Sequence, residues 1–219
     1  GPIMDTEGVK IGAVENLQGI HWQRVTIEGL ANHAGTTPTN LRVDAGLAAA
    51  KINLFLREMV QKSGGVATVG CIEHEPNAIN VIPSRAVMTV DLRNPDKGKL
   101  DADEKSLAAY FKELEETDHV KISSERLTEF DPVLFDENIV QKIEAAASAR
   151  GLNTRRMTSG AGQDAQMMAR ICPTAMIFVP SIKGISHNPK EYTPDADCVA
   201  GANVFLDVVS EMAGAMTFC

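Results

Sequence analysis

The chain reads as an α/β protein that carries a ferredoxin-like βαββαβ unit inside part of a parallel α/β domain. Three observations predict this. Strand-type and helix-type patterns follow one another as β-α-β-β-α-β between about Gln18 and Asp131. The grammar then changes to alternating helix and strand after "FDPVLFD". The strand "TAMIFVPS" in that last part is almost wholly apolar, as a strand covered on both faces would be.

Each element has its own signal. "IHWQRVTIEGLA", Ile20 to Ala31, is rich in β-branched and aromatic residues, with Ile20 and Trp22 and then Val25 and Ile27 alternating. The parity slips near Arg24, which predicts a bulge there. Val43, Leu47, Ala50 and Leu54 recur at helical spacing, so about Asp44 to Gln61 is a helix, ended by Ser63 to Gly65. Ala67, Val69 and Cys71 mark a second strand, and "EPNAIN" turns the chain. Ala86, Met88, Val90 and Leu92 mark a third strand, stopped by "RNPD". Leu100, Leu107, Phe111 and Leu114 mark the second helix, and Val120, Ile122 and Leu127 the fourth strand.

In the last part, Ile139, Ile143, Ala146 and Arg150 mark a helix ending at Gly151. "NTRRMTS" is a short strand, "GAGQDAQMMARI" a Gly turn into a helix, and Val199, Ala202, Leu206, Val209 and Ala213 mark the final helix. Two strands are too few for a parallel sheet, and residues 1–17 read as a further piece of the same domain. The predicted organisation is residues 1–17 and 132–219 as parts of one domain, with residues 18–131 as a complete one inserted between them.

Composition narrows the function. Of 219 residues 44% are hydrophobic and 23% charged, an ordinary globular mixture. No apolar run approaches the roughly 18 residues of a membrane span, and no signal peptide is visible at the start. The formal charge of -8 argues against a surface that tracks phosphates, so no nucleic-acid partner is expected. Cys71, Cys172, Cys198 and Cys219 lie far apart with no CxxC pair, which favours a reducing, cytoplasmic setting and argues against Cys-ligated zinc.

Polar residues at strand ends are the candidates for chemistry. "SGAGQD", Ser159 to Asp164, follows a strand, so its glycines let backbone approach a ligand and the next helix start offers free N–H groups. The alternative is a helix start capped by Asp164. His187 in "GISHNP" stands in a second strand-end loop, either as a metal ligand or as a polar loop residue. His33 follows the first strand, Asn80 precedes the third and Arg93 ends it. A guanidinium is a natural two-pronged clamp for a carboxylate, so Arg93 suits that task, though taken singly each of the three reads as structural sooner than functional. His21, His74 and His119 read as surface residues.

Taken together, "GPIMDTEG", "GLANHAGTTP", "EPNAINVIPSRAVMTVDLRNPD" and "RRMTSGAGQDAQMMARICPTAMIFVPSIKGISHNPKEYT" closely resemble one family. It is the metal-dependent amidohydrolases comprising N-carbamoyl-L-amino-acid hydrolases, allantoate amidohydrolases and β-ureidopropionases, within the aminopeptidase-like metallopeptidases. The resemblance covers essentially the whole chain. It implies a catalytic α/β domain with two divalent metal ions, Zn or Mn, interrupted by a ferredoxin-like lid that also makes a homodimer. Members are about twice as long, so this chain resembles their second half, with most metal ligands and the general-base glutamate in the first. By the same resemblance, His187 is a metal ligand and His33 stabilises the oxyanion. Asn80 and Arg93 bind substrate, Arg93 through its carboxylate, and Gly162 makes a backbone contact. Gln163 departs from the histidine that relatives usually carry; its amide cannot take up a proton. The implied substrate is a small ureido or amide compound with a carboxylate. An allantoate amidohydrolase, or a non-catalytic dimerisation fragment, are the alternatives.

One geometric expectation follows. Asn80 and Arg93 are thirteen residues apart, roughly 40 Å on a straight strand at about 3.3 Å per residue. In a βαββαβ sandwich the end of strand 1 lies beside the start of strand 3. His33 and Asn80 should therefore share one end of the sheet and Arg93 should sit at the other. They would then serve two different active sites of a dimer.

Overall fold

The structure, a computed structural model, describes residues 1–214; Cys219 lies outside the described residues. The chain runs α1 (Ile3–Glu7), β1 (Ile11–Leu17), β2 (Gly19–Glu28), β3 (Asn32–His33), α2 (Ala45–Ser63), β4 (Val66–Glu75), β5 (Val81–Ile82) and β6 (Arg85–Asn94). It continues with α3 (Lys97–Thr117), β7 (Lys121–Phe130), β8 (Val133–Leu134), α4 (Glu137–Ala149), β9 (Thr154–Ser159), α5 (Ala165–Met168), β10 (Met176–Phe178) and α6 (Asp195–Gly214). Two compact units result: an inserted one, Gln18–Pro132, and a discontinuous one made of Gly1–Leu17 and the chain from Val133 on.

The inserted unit is a four-stranded antiparallel sheet in the order β4-β6-β2-β7 with α2 and α3. In terms of its own strands that order is 2-3-1-4, the arrangement of a ferredoxin-like sandwich. Asp44 starts α2 by accepting the Gly46 and Leu47 amides, and Asp96 starts α3 by accepting that of Lys99. Ala86, Met88, Val90 and Leu92 of β6 meet Leu100, Leu107, Phe111 and Leu114 of α3 in one core, as their spacing predicts.

Two expectations need correction here. The β2–β6 ladder is unbroken from Gly19 to Glu28, so β2 has no bulge. Ile20 and Trp22 simply occupy the face opposite Val25 and Ile27. The irregularity lies on β7: Trp22 pairs with Thr128 and Gln23 with Arg126, which leaves Leu127 as the extra residue. His21 is not on the surface either. It is 1% exposed, with Nδ1 3.0 Å from Glu104 and Nε2 3.6 Å from Glu129. Burial of an imidazole on the helix side of a strand is tolerable where carboxylates face it.

The face of α2 also differs from its spacing. Ala45, Ala48, Ala49, Ile52, Leu56 and Met59 are buried, whereas Leu47 is 49% and Leu54 67% exposed. Alanines on the inner face let the helix backbone lie close to the sheet.

In the discontinuous unit β1 is the strand to which all the others attach. β9 pairs with it in parallel, and β10 and β8 pair antiparallel. The sheet is therefore mixed, not parallel as expected, and residues 1–17 supply its central strand. α4 and α6 pack on it through Val140, Ile143, Ala147, Val204 and Val208. Gly201 is required there, since a Cβ would come within 2.5 Å of Val179. The expected inner row of α6 is not the buried one: Val199, Leu206 and Val209 are exposed. The helix is apolar on several sides, so spacing alone could not choose the face. No helix among the described residues is long and apolar enough to cross a membrane.

Candidate active site

In the inserted unit, β3 and β5 form a small separate ladder, with His33 opposite Val81 and Asn32 opposite Ile82. The Ala34 amide donates to the Asn80 carbonyl at 2.9 Å. His33 and Asn80 thus meet at one end of the unit, and both are exposed. The His33 ring is held by its own turn: Nδ1 accepts from the Gly35 amide at 3.0 Å and the Thr36 amide at 3.2 Å. A nitrogen that accepts carries no proton, so in the neutral ring the proton sits on Nε2. His33 therefore offers one outward N–H donor.

Arg93 lies elsewhere. It is opposite Ile20 at the start of β2 and Val66 at the start of β4, while Arg85 at the other end of β6 pairs with Glu28. Eight residue steps of β6 separate Arg85 from Arg93, roughly 26 Å at about 3.3 Å each. The chain from Asn80 to Arg85 is not straight strand, because β5 belongs to the other ladder; the roughly 40 Å expected for an unbroken strand is too long. The arrangement at opposite ends remains. Asp91 grips the Arg93 guanidinium, accepting Nε at 2.9 and 3.1 Å and Nη2 at 2.6 Å. Sequence reasoning missed Asp91. The signal was there, since residues two apart on a strand share a face.

In the discontinuous unit, Gly162 and Gln163 sit in an exposed loop after β9. A Cβ at Gly162 would meet only Gln166 Oε1, at 3.8 Å. The helix after this loop is a single turn, and Asp164 makes no side-chain cap. A helix does follow the Gly turn, as expected, but it is short, and the alternative of a side-chain cap by Asp164 is not realised; Pro173 lies a few residues on, and proline cannot continue a helix. Gln166 is buried, and its Nε2 has no partner among the described residues.

His187 is exposed, at φ 55°, and its amide donates to Glu191 Oε2 at 3.0 Å. The loops of Gly162 and His187 were expected on one side, beyond the carboxyl ends of parallel strands. They leave the sheet at opposite ends: β9 finishes beside Leu17, and β10, being antiparallel to β1, finishes beside Gly12. Among the described residues no group of three or more His, Cys, Asp or Glu could hold a metal ion. An imidazole and one carboxylate do not make up a two-metal centre, so these residues alone do not fit that cofactor.

The chain is similar to the N-carbamoyl-L-amino-acid amidohydrolase of Rhizobium meliloti, 38% identical over 215 residues, 97% of this chain and 52% of the relative. It is 34% identical to the allantoate amidohydrolase of Escherichia coli (strain K12), again over 97% of this chain and 52% of the relative. Among solved structures, an amidase of the hydantoinase/carbamoylase family from Burkholderia multivorans superposes with a TM-score of 0.92 at 37% identity, covering 95% of this chain and 51% of that one. The chain spans about half the length of the curated relatives it matches. The family description "Peptidase family M20/M25/M40" matches residues 2–211, and the chain belongs to that family.

Proposed function

We propose that this chain is part of an amidohydrolase that cleaves the carbamoyl C–N bond of an N-carbamoyl-L-amino acid. The observation that carries the reading is the pair of recognition groups on the inserted unit. A single N–H donor, His33 Nε2, stands at one end, and the Arg93 guanidinium at the other. The first suits the oxyanion that develops when water attacks a ureido carbonyl; the second suits the substrate carboxylate. Asn80 adds a donor and an acceptor beside His33. Gly162 offers backbone to the substrate, and Gln163 an amide where a histidine would also transfer protons.

Both ends cannot hold one small molecule. We therefore assign them to two pockets of a homodimer, His33 and Asn80 in one and Arg93 in the other. The exposed row of Leu47 and Leu54 on α2, beside edge strand β4, supports pairing through this lid unit. Family members are generally metal-dependent. Two divalent ions, Zn or Mn, are the proposed cofactors, with His187 as the one ligand this chain contributes. Its other described residues do not complete that centre.

Allantoate is the second candidate substrate, favoured by the similarity to the Escherichia coli enzyme. A panel of N-carbamoyl-L-amino acids, ureidopropionate and allantoate, assayed with the full-length enzyme and each metal, tests the reading. Release of free amino acid from the carbamoyl compounds at the highest kcat/KM is the expected result. Preference for allantoate selects the second reading, and inertness towards all of them contradicts both.

A further inference from the structure

Arg42 precedes the cap of α2 and is half-buried. Its guanidinium spans the turn that carries His33: Nη2 donates to the Ala34 carbonyl at 2.6 Å and Nε to the Thr37 carbonyl at 3.1 Å. The two bonds bracket Gly35 and Thr36, whose amides hold His33 Nδ1. The first bond has a further consequence. The Ala34 carbonyl and the Gly35 N–H belong to one planar peptide group. A cation bonded to that oxygen draws electron density from the group and strengthens its N–H as a donor. Arg42, the Ala34–Gly35 peptide and the His33 ring thus form one hydrogen-bonded chain. A Thr37 hydroxyl bond to the His33 carbonyl at 2.8 Å closes the turn from the other side.

We propose that Arg42 is a positioning residue for His33: it fixes the 34–37 turn so that Nδ1 stays an acceptor and the Nε2 proton points outward. The proposal rests on reading His33 as the oxyanion donor. Arg42 touches no reacting atom. Its effect is to prevent ring rotation and exchange of the proton between the two nitrogens, either of which would leave the donor absent part of the time. A guanidinium is suited to this, because its planar fork reaches two carbonyls at once, whereas an ammonium is a single point.

The test uses this chain, labelled with 15N-histidine, and long-range 1H–15N spectra of the His33 ring. In the unsubstituted protein Nδ1 should resonate as an unprotonated nitrogen and Nε2 as a protonated one. In Arg42→Met the two signals should move towards each other. The Gly35 and Thr36 amides should also exchange about tenfold faster, while those of Ile52 and Leu56 keep their protection. Arg42→Lys should lie between, and it decides the matter where Arg42→Met does not fold. In full-length enzyme, Arg42→Met should lower kcat about tenfold with KM nearly unchanged. His33 signals identical to the unsubstituted protein's in the substituted chain, or a protonated Nδ1 from the outset, overturn the proposal. The spectra do not depend on activity. If they behave as expected but His33→Ala leaves kcat intact, the functional reading fails and the hold of Arg42 on the ring stands.

Discussion

Replacing His33 by alanine in the full-length enzyme should cost rate without costing fold. The ring is exposed, and among the described residues its hydrogen bonds are those accepted from the Gly35 and Thr36 amides. Both amides can turn to water when the ring is lost, so stability should change by less than about 1 kcal/mol. Catalysis should change far more. Because Nδ1 is committed as an acceptor, His33 has one donor to offer, and removing one oxyanion donor costs about 3 kcal/mol of transition-state stabilisation. At about 1.4 kcal/mol per tenfold, that is a fall in kcat of roughly 150-fold. The interaction forms only as charge develops, so KM should move little. His33→Gln retains an N–H donor and should recover part of the loss. Initial rates of amino-acid release from an N-carbamoyl-L-amino acid give kcat and KM directly. A kcat within about threefold of the unsubstituted enzyme, in a protein with unchanged urea unfolding, would refute the donor role.

Three further outcomes follow from local geometry. Gly29 follows β2 where a Cβ would come 2.4 Å from the Val43 carbonyl, an oxygen already bonded to the Leu30 amide. Gly29→Ala should destabilise the inserted unit by about 2 kcal/mol in urea unfolding. Asp44→Ala removes the acceptor of the Gly46 and Leu47 amides and should cost about 1 kcal/mol in the same assay. Arg156 donates to Glu137 and holds its carboxyl below the ordinary range, with Gln141 adding to the effect. A lowered carboxyl pKa contributes stability above the unfolded value that is lost as pH falls through the folded one. Arg156→Met should therefore raise the Glu137 pKa, measured by carboxyl-carbon titration, and weaken the loss of stability on acidification.

What the sequence disclosed depended on how many faces of each element are covered. β6 and α3 each show one clean apolar row, and Met88, Val90, Leu107 and Phe111 are buried as their spacing requires. The first turns of α2 carry Leu47 and Leu54 on the exposed side and Ala45, Ala48 and Ala49 on the buried one, so the larger side chains point to the wrong face. "IGAVENL" carries no alternation that marks β1 as a strand, because Ile11, Ala13, Val14 and Leu17 are buried on both of its faces. The reversal of β10, which sends the loops of Gly162 and His187 from opposite sheet ends, is a property of pairing that no local pattern encodes. His33 and Arg93 stood out because each terminates a legible strand. Asp91 and Arg42 did not, since their roles are hydrogen bonds to neighbours and leave no trace in hydropathy. The ladder of β3 and β5, only two residues long on each side, was likewise below what alternation can reveal.

The division of labour between the two ends of the inserted unit is tested most directly by mixing two inactive full-length enzymes, His33→Ala and Arg93→Ala. If each pocket takes His33 from one protomer and Arg93 from the other, a mixed dimer holds one intact pocket. Random pairing of equal amounts, with half the dimers mixed, then restores about a quarter of the unsubstituted activity. Mixed dimers that form, as seen by mass spectrometry, and remain inactive contradict the account.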